Sequence, residues 1–167
     1  MLIMILMTHA LIGAAAAKAL NVQNPIAAIV LGYASHLLSD AIPHWDYPIL
    51  SFSGIQKLED RRFDPMSVSF RKDVLRVAFD FSLGISLALL FMRPSSPAQA
   101  TPLLLAAFGG MLPDLLQGAY FTGYAPWLAP LQRLHDWCHT KIRLGPYPKI
   151  GIPFQIAIAL LAISILI

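Results

Sequence analysis

Long apolar runs separated by short polar stretches dominate the chain. Each run holds roughly 17 or more residues almost free of charge, a pattern typical of membrane-spanning helices. The polar stretches carry Pro, Gly, Asn or clustered charges, as expected for turns and water-facing loops. We therefore predict an all-α, polytopic membrane bundle of about five transmembrane helices, in a single domain over residues 1–167. The predicted helices cover residues 1–19, 25–42, 71–92, 101–120 and 151–167, with a short amphipathic cytoplasmic helix at 130–142.

The composition also indicates a membrane protein. Hydrophobic residues make up 57% of the chain, charged residues 13%, and the mean hydropathy is +0.64, well above the values of soluble globular domains. The pI near 9.2 is compatible with nucleic-acid binding, but the basic residues lie in loops beside apolar runs, which suits an anionic lipid surface better. We expect membrane lipid as the environment of the protein, and no nucleic-acid partner. The single cysteine, Cys138, excludes an internal disulfide.

Charge placement predicts the orientation of the helices. With the N-terminus in the cytoplasm, ten Lys and Arg residues fall in or beside the loops at 48–70 and 121–149, and only Lys18 and Arg93 fall outside. This distribution fits the positive-inside rule, so we expect a multi-pass protein of the cell's inner (cytoplasmic) membrane. A cleaved signal peptide is the competing interpretation of the first apolar run, but no positively charged segment precedes that run.

Histidines and aspartates recur at a similar depth in these helices. His36 and Asp40 are four residues apart and share one helix face; Pro43 then ends the helix and turns His44 and Asp46 back toward that face. Ionisable groups near lipid are costly unless they have a partner or a function. We therefore predict one metal site on the cytoplasmic side. Its predicted ligands are His9, His36, Asp40, His44, Asp80, Asp114, His135 and His139.

Clustered imidazoles and carboxylates suit Zn²⁺, and also Mn²⁺ or Fe²⁺. Carboxylates can bridge two metal ions, and two ions can clamp the attacking and leaving oxygens of a phosphoester. The absence of a Cys-x-x-Cys pair from the sequence argues against a closed structural zinc site. Asp46 or Asp136 is a candidate proton acceptor, and Arg133 is a candidate ligand for an anionic head group.

At these residues the chain resembles the YdjM-like membrane-bound metal-dependent hydrolase family. The matching pieces are Thr-His-Ala-Leu-Ile-Gly at 8–13, the segment 32–40, Gly-Met-Leu-Pro-Asp at 110–114, and the pair His135 and His139 followed by Thr140. In that family the Leu-Pro-Asp and His-pair pieces precede the Gly-Tyr-x-Ser-His piece, whereas here they follow it. His36-x-x-x-Asp40 also looks, more distantly, like the core of zinc-dependent phospholipase C. The resemblance implies a metal-dependent hydrolase and names no substrate. A phosphoester of a phospholipid or lipid phosphate is the expected substrate because the predicted site opens where lipid head groups lie.

Each candidate also has a purely structural interpretation. His36 and Asp40 can form a buried ion pair between helices, and Asp80 or Asp114 can pair with a loop arginine. His9 can donate a hydrogen bond to a backbone carbonyl of another helix. We favour function because ionisable residues inside a membrane mark functional sites by default.

Other functions compete with hydrolysis. A metal-free lipid phosphatase with a histidine nucleophile needs an arginine-bearing phosphate pocket, whereas the residues around Val30 are apolar. A metalloprotease is disfavoured because no His-Glu-x-x-His occurs. A metal or proton transporter, and a non-enzymatic scaffold that binds a soluble partner, are the non-enzymatic alternatives.

Overall fold

The computed structural model describes residues 2–51 and 62–167, and within these ranges the protein is built mainly from α-helices. A two-stranded antiparallel sheet pairs β1 (Leu2–Met4) with β2 (Asp46–Pro48), aligning Ile3 with Tyr47. The predicted amphipathic helix is present as α5 (Ala129–Cys138), and a short 3-10 helix at Pro126–Leu128 leads into it. The elements are β1 (Leu2–Met4), α1 (Leu6–Ala19), α2 (Pro25–Asp40), β2 (Asp46–Pro48), α3 (Val68–Met92), α4 (Pro97–Phe121), α5 (Ala129–Cys138) and α6 (Pro148–Leu166).

Three helices, α3, α4 and α6, are long and apolar enough to cross a membrane. The predicted count of about five spans is not confirmed, because α1 has 14 residues and α2 has 16, short of the roughly 20 that a bilayer requires. The first apolar run is divided: residues 2–4 form a strand and the helix begins only at Leu6. Large apolar side chains are exposed on α3 and α6, including Leu75, Phe79 and Leu161, as expected of lipid-facing helices.

Helix α1 lies at the centre of the bundle and packs against α2, α3, α4 and α6. Its inner side chains are small or medium in size, and Ala10, Leu11, Ala14 and Ala17 are fully buried. At Gly110 of α4 a Cβ atom would overlap the backbone carbonyl of His9. Small residues at such crossings allow the backbones to approach closely, and here they bring α1, α2 and α4 together at one end of the bundle.

Local interactions define where α2 begins and where the chain goes after it ends. Asn24 caps the start of α2 by accepting hydrogen bonds from the amides of Ile26 and Ala27, and Pro25 occupies the first turn, where its missing N–H costs nothing. At the other end, Pro43 follows the helix and β2 pairs with β1 next to the start of α1. The pairing of β2 with β1 therefore brings residues 44–46 next to the start of α1.

Candidate metal centre

Seven of the eight predicted ligands gather in one buried cluster at the end of the bundle where α2 terminates. His9 comes from the second turn of α1, and His36 and Asp40 come from the last turns of α2. Asp114 lies on α4 and His135 on α5. The remaining members lie outside the helices: His44 in the loop after α2, and His139 directly after α5.

Asp40 is the hub of this cluster. Its Oδ1 lies 3.2 Å from His9 Nε2. Its Oδ2 lies 3.1 Å from His36 Nε2 and 2.7 Å from His135 Nε2. The Asp40 side chain is 1% exposed, so one buried carboxylate presents separate oxygens to different imidazoles. This arrangement suits a carboxylate that bridges two metal ions.

Asp114 joins the cluster from α4. Its Oδ1 lies 3.9 Å from His36 Nε2 and 3.8 Å from His135 Nε2, and these two imidazole nitrogens are 3.3 Å apart. The three residues form a second group of ligand atoms, which shares His36 with the group of His9, His36 and Asp40.

A third group consists of Asp40, His44 and His139. The His44 and His139 rings approach with centroids 4.9 Å apart, and Asp46 Oδ1 lies 2.9 Å from His44 Nε2. Backbone hydrogen bonds hold the two chain segments together, because the Thr140 amide donates to the Asp40 carbonyl at 2.7 Å. His139 therefore reaches the cluster through the strand-like path after α5 and not through the helix itself.

The remaining ring nitrogen, Nδ1, of four histidines has an oxygen partner. His36 Nδ1 donates to the Gly110 carbonyl at 2.7 Å, and His44 Nδ1 donates to the Ile42 carbonyl at 2.7 Å. His139 Nδ1 donates to the Thr140 carbonyl at 3.1 Å. Such bonds fix the tautomer and leave Nε2 without a proton, which is the usual arrangement of metal-binding histidines.

His9 is oriented by a side chain instead. Its Nδ1 donates to Ser39 Oγ at 3.1 Å, and the Ser39 hydroxyl donates in turn to the His36 carbonyl at 2.9 Å. The fifth histidine, His135, has its Nδ1 at 3.0 Å from the side-chain amide of Gln117. An amide presents either its nitrogen or its oxygen; the oxygen would accept the His135 Nδ1 proton and leave Nε2 bare.

Several close pairs of ligand atoms in this cluster lack hydrogen-bond geometry. His9 Nε2, Asp40 Oδ1, His44 Nε2 and both oxygens of Asp46 are buried without a hydrogen-bond partner, although they approach within 2.9–3.2 Å of one another in pairs. Around a tetrahedral zinc ion with ligand distances near 2.0–2.1 Å, neighbouring ligand atoms are about 3.3 Å apart. The donor set and its spacing therefore fit a divalent metal ion.

The buried carboxylates of the cluster require compensating positive charge. Asp40, Asp46 and Asp114 are 1%, 1% and 6% exposed, and within the described ranges they form ion pairs with histidines. Either protons on the imidazoles or bound cations must supply the positive charge. Burial alone would lower the pKa of His44, but the adjacent Asp46 and then Asp40 outweigh burial, so the pKa of His44 is raised.

The structure places Asp80, the eighth predicted ligand, away from the cluster. Its carboxylate accepts hydrogen bonds from the backbone amides of Leu6 at 2.6 Å and Met7 at 3.3 Å. These amides are among the unpaired donors of the first turn of α1. Asp80 is therefore a helix-capping residue supplied by α3, and its predicted role as a ligand is corrected.

Two of the three predicted catalytic residues also lie apart from the cluster. Asp136 and Arg133 are exposed on α5, and Asp136 accepts a hydrogen bond from Gln132 at 2.9 Å. Asp46, in contrast, is buried beside His44. The structure thus leaves Asp46 as the predicted proton acceptor that reaches the ligand atoms.

Sequence reasoning missed the residues that orient the imidazoles. Ser39 precedes Asp40 and lies three residues after His36, and Gln117 lies three residues after Asp114. Residues three apart share a helix face, so this spacing was the available signal for both side chains. The carbonyls of Gly110, Ile42 and Thr140 carry no comparable signal, because every residue has one.

The cluster is thus a set of His and Asp side chains positioned to bind metal ions, all buried except the half-buried His139. The described residues include three helices able to span a membrane. No family model, no curated protein and no solved structure matches the chain.

Proposed function

We propose that this protein is a membrane-embedded metal-dependent hydrolase that cleaves a phosphoester of a membrane lipid. The observation that carries the proposal is the convergence of seven His and Asp side chains from separate segments, with Nε2 and carboxylate oxygens turned toward one another. A helix-packing role requires only one or two such residues. A cluster with overlapping ligand groups is typical of enzymes that hold two or more metal ions.

We propose Zn²⁺ as the metal, with Mn²⁺ and Fe²⁺ as the other ions that suit imidazole and carboxylate ligands. The group of His9, His36 and Asp40 shares His36 with the second group and Asp40 with the third, so these two side chains would each contribute to more than one metal position. Bound divalent ions of this kind supply a lowered pKa for water and positive charge beside the phosphoester oxygens.

The residues of the chain have distinct proposed roles. Asp40 would be a ligand shared between metal positions, because its two oxygens lie near different histidines. Asp46 accepts a proton at Oδ1 or Oδ2, both of which are buried without a hydrogen-bond donor. Ser39 and Gln117 hold the rings of His9 and His135 in position. Helices α3, α4 and α6 exclude bulk water by embedding this end of the protein at a lipid surface.

We propose the inner (cytoplasmic) membrane as the location, with the N-terminus in the cytoplasm, on the strength of the distribution of basic residues. Membership in the YdjM-like family is proposed on the short motifs around His9, His36, Asp114 and His135. All four motifs supply side chains to the same cluster, which supports reading them as parts of one site.

The test is hydrolysis by detergent-purified protein before and after metal removal. We expect turnover of bis(p-nitrophenyl) phosphate and of phosphatidic acid, loss of both on chelation, and recovery with Zn²⁺. His36→Ala should abolish both activities, because His36 belongs to two of the three ligand groups. Asp80→Asn is the control: Asp80 is also buried, but its carboxylate accepts hydrogen bonds from the backbone amides of Leu6 and Met7. Activity that persists in His36→Ala, or survives full chelation, would contradict the proposal.

A further inference from the structure

An apolar groove with a volume of about 410 Å³ lies beside the metal cluster, between α3 and α4. Val74, Val77 and Phe81 line it from α3, and Leu115 and Gly118 line it from α4. Its volume falls within the range of small-molecule sites. The groove is lined mainly by apolar side chains, whereas the cluster consists of imidazole and carboxylate groups.

Asp114 connects the groove to the cluster. Its Oδ1 faces the Nε2 atoms of His36 and His135, its Oδ2 is buried without a hydrogen-bond partner, and its side chain also lines the groove. The other carboxylate along the groove, Asp73, is already satisfied by Leu50 and Ser51. The polar end of the groove is therefore the metal cluster.

The groove also reaches the lipid-facing surface. Both helices that form its walls, α3 and α4, are candidate membrane spans, and Val74 on its wall is 48% exposed. A ligand held here would have an apolar part among α3 and α4 side chains and a polar part at Asp114. A membrane lipid has this division and is present at high concentration at that surface.

We propose that the groove binds an acyl chain of the substrate lipid and so places its phosphoester at the metal cluster. This inference rests on the proposed function and adds the substrate class to it: lipids with a long acyl chain beside the phosphate, in preference to water-soluble phosphoesters. Selectivity would arise because only a chain that fills the groove fixes the phosphoester beside Asp114.

Gly118 allows this proposal to be tested without altering the cluster. A Cβ atom built at Gly118 meets no atom within 4 Å, and Gly118 lies four residues after Asp114, on the same face of α4. Gly118→Leu should fill the groove, whereas Gly118→Ala should leave most of it open and serves as the matched control. Neither variant changes a ligand atom, so zinc content should stay at the wild-type level.

The experiment uses phosphatidic acid that carries a photoreactive diazirine in its acyl chain, in detergent micelles. We expect labelling at Val77 on the groove wall and, because lipid covers the outer surface, at Phe79, which is 70% exposed. Gly118→Leu should reduce labelling at Val77 at least tenfold and leave Phe79 unchanged. It should also reduce kcat/KM for phosphatidic acid at least tenfold while hydrolysis of bis(p-nitrophenyl) phosphate continues.

The outcomes separate the two proposals. Equal labelling of Val77 in the wild type and in Gly118→Leu would overturn the acyl-chain site, whatever the activities are. Wild-type protein that hydrolyses neither substrate would overturn the proposed function, while the labelling pattern would still decide whether a lipid chain occupies the groove. If Gly118→Leu does not fold, Val77→Trp narrows the groove from α3, and labelling is then read at Leu115 by the same criteria.

Discussion

Replacing Asp40 with asparagine should remove most of the bound metal. Asp40 contributes to two of the three ligand groups, whereas the group of His36, Asp114 and His135 does not include it. The substitution exchanges an anionic oxygen for a neutral amide and keeps the size of the side chain. We therefore expect the tightly bound metal to fall by at least half, with the ion nearest Asp114 retained longest.

The magnitude follows from the position of Asp40 at the centre of the cluster. Loss of a residue that only supports a ligand weakens metal binding by about 10- to 100-fold, so loss of a shared ligand should cost at least about 100-fold. At a free metal concentration of 100 times Kd, the wild-type protein gains about 2.7 kcal/mol of stability. With Kd raised about 100-fold, Asp40→Asn would gain about 0.4 kcal/mol, a difference of about 2.3 kcal/mol.

Two assays measure these quantities. Elemental analysis after dialysis against metal-free buffer gives the metal content, and thermal unfolding in detergent with increasing Zn²⁺ gives the stabilisation. Asp80→Asn is the decisive control, because the sequence predicts Asp80 as a ligand whereas the structure makes it the cap of α1. Asp80→Asn should keep its metal and lose about 1 kcal/mol of stability as a cap variant. Wild-type metal content in Asp40→Asn, or an equal loss in Asp80→Asn, would refute the reasoning.

Three further predictions follow from the same cluster. Ser39→Ala removes the hydroxyl that holds His9, so competition with a chromophoric chelator should show metal affinity about 10- to 100-fold weaker in a folded protein; unchanged affinity would contradict this. Gly110→Ala places a Cβ on the His9 carbonyl and should lower the melting temperature in detergent by several degrees; an unchanged melting curve would argue against the close crossing. Burial lowers the pKa of His44, but the adjacent Asp46 outweighs burial, so the net pKa is raised. As the pH falls, protons should therefore displace metal from the group of Asp40, His44 and His139 at a higher pH than they would if His44 had an ordinary pKa. In the metal-free protein the sign reverses: protonated His44 stabilises the fold below its unfolded pKa, and this stabilisation is lost as pH rises through the folded pKa. Metal content and melting temperature against pH, with and without chelator, check both signs.

The length of the membrane spans is the feature that the sequence predicted least well. The run at 1–19 is apolar because α1 is enclosed by α2, α3, α4 and α6. The run at 25–42 forms a helix of 16 residues that is buried on one side and exposes Ile26, Val30 and Leu38 on the other. A helix that is apolar all round is buried either in a core or in a membrane, and periodicity does not distinguish the two. The pairing of Leu2–Met4 with Asp46–Pro48 depends on residues more than forty positions apart, which no local pattern predicts.

The position of the cluster of His and Asp side chains was predictable to a useful degree, since depth along a helix can be read from residue counts. Residue counts do not give the direction in which a side chain points around the helix axis, and for this reason the prediction of Asp80 as a ligand was wrong. The depth of Asp80 matches the cluster, but α1 begins at Leu6 and turns its free amides toward α3. Asp114 does lie in the cluster, because Gly110, one turn earlier on the same face of α4, contacts α1 beside His9.

A metal transporter with the same ligands would require a polar route from the cluster to the other side of the membrane. Among the described residues, the part of the bundle beyond His9 is filled by apolar side chains: Ala10, Ala14, Ala17 and Ala106 are fully buried in the core. Ions do not cross such a core without polar side chains or broken helices to replace their water. Liposomes containing the protein should therefore show no Zn²⁺ uptake above protein-free liposomes. Zn²⁺ uptake that occurs with the wild type and is abolished by Asp40→Asn would contradict this prediction, because it would show that the cluster lies on a path for Zn²⁺ across the membrane.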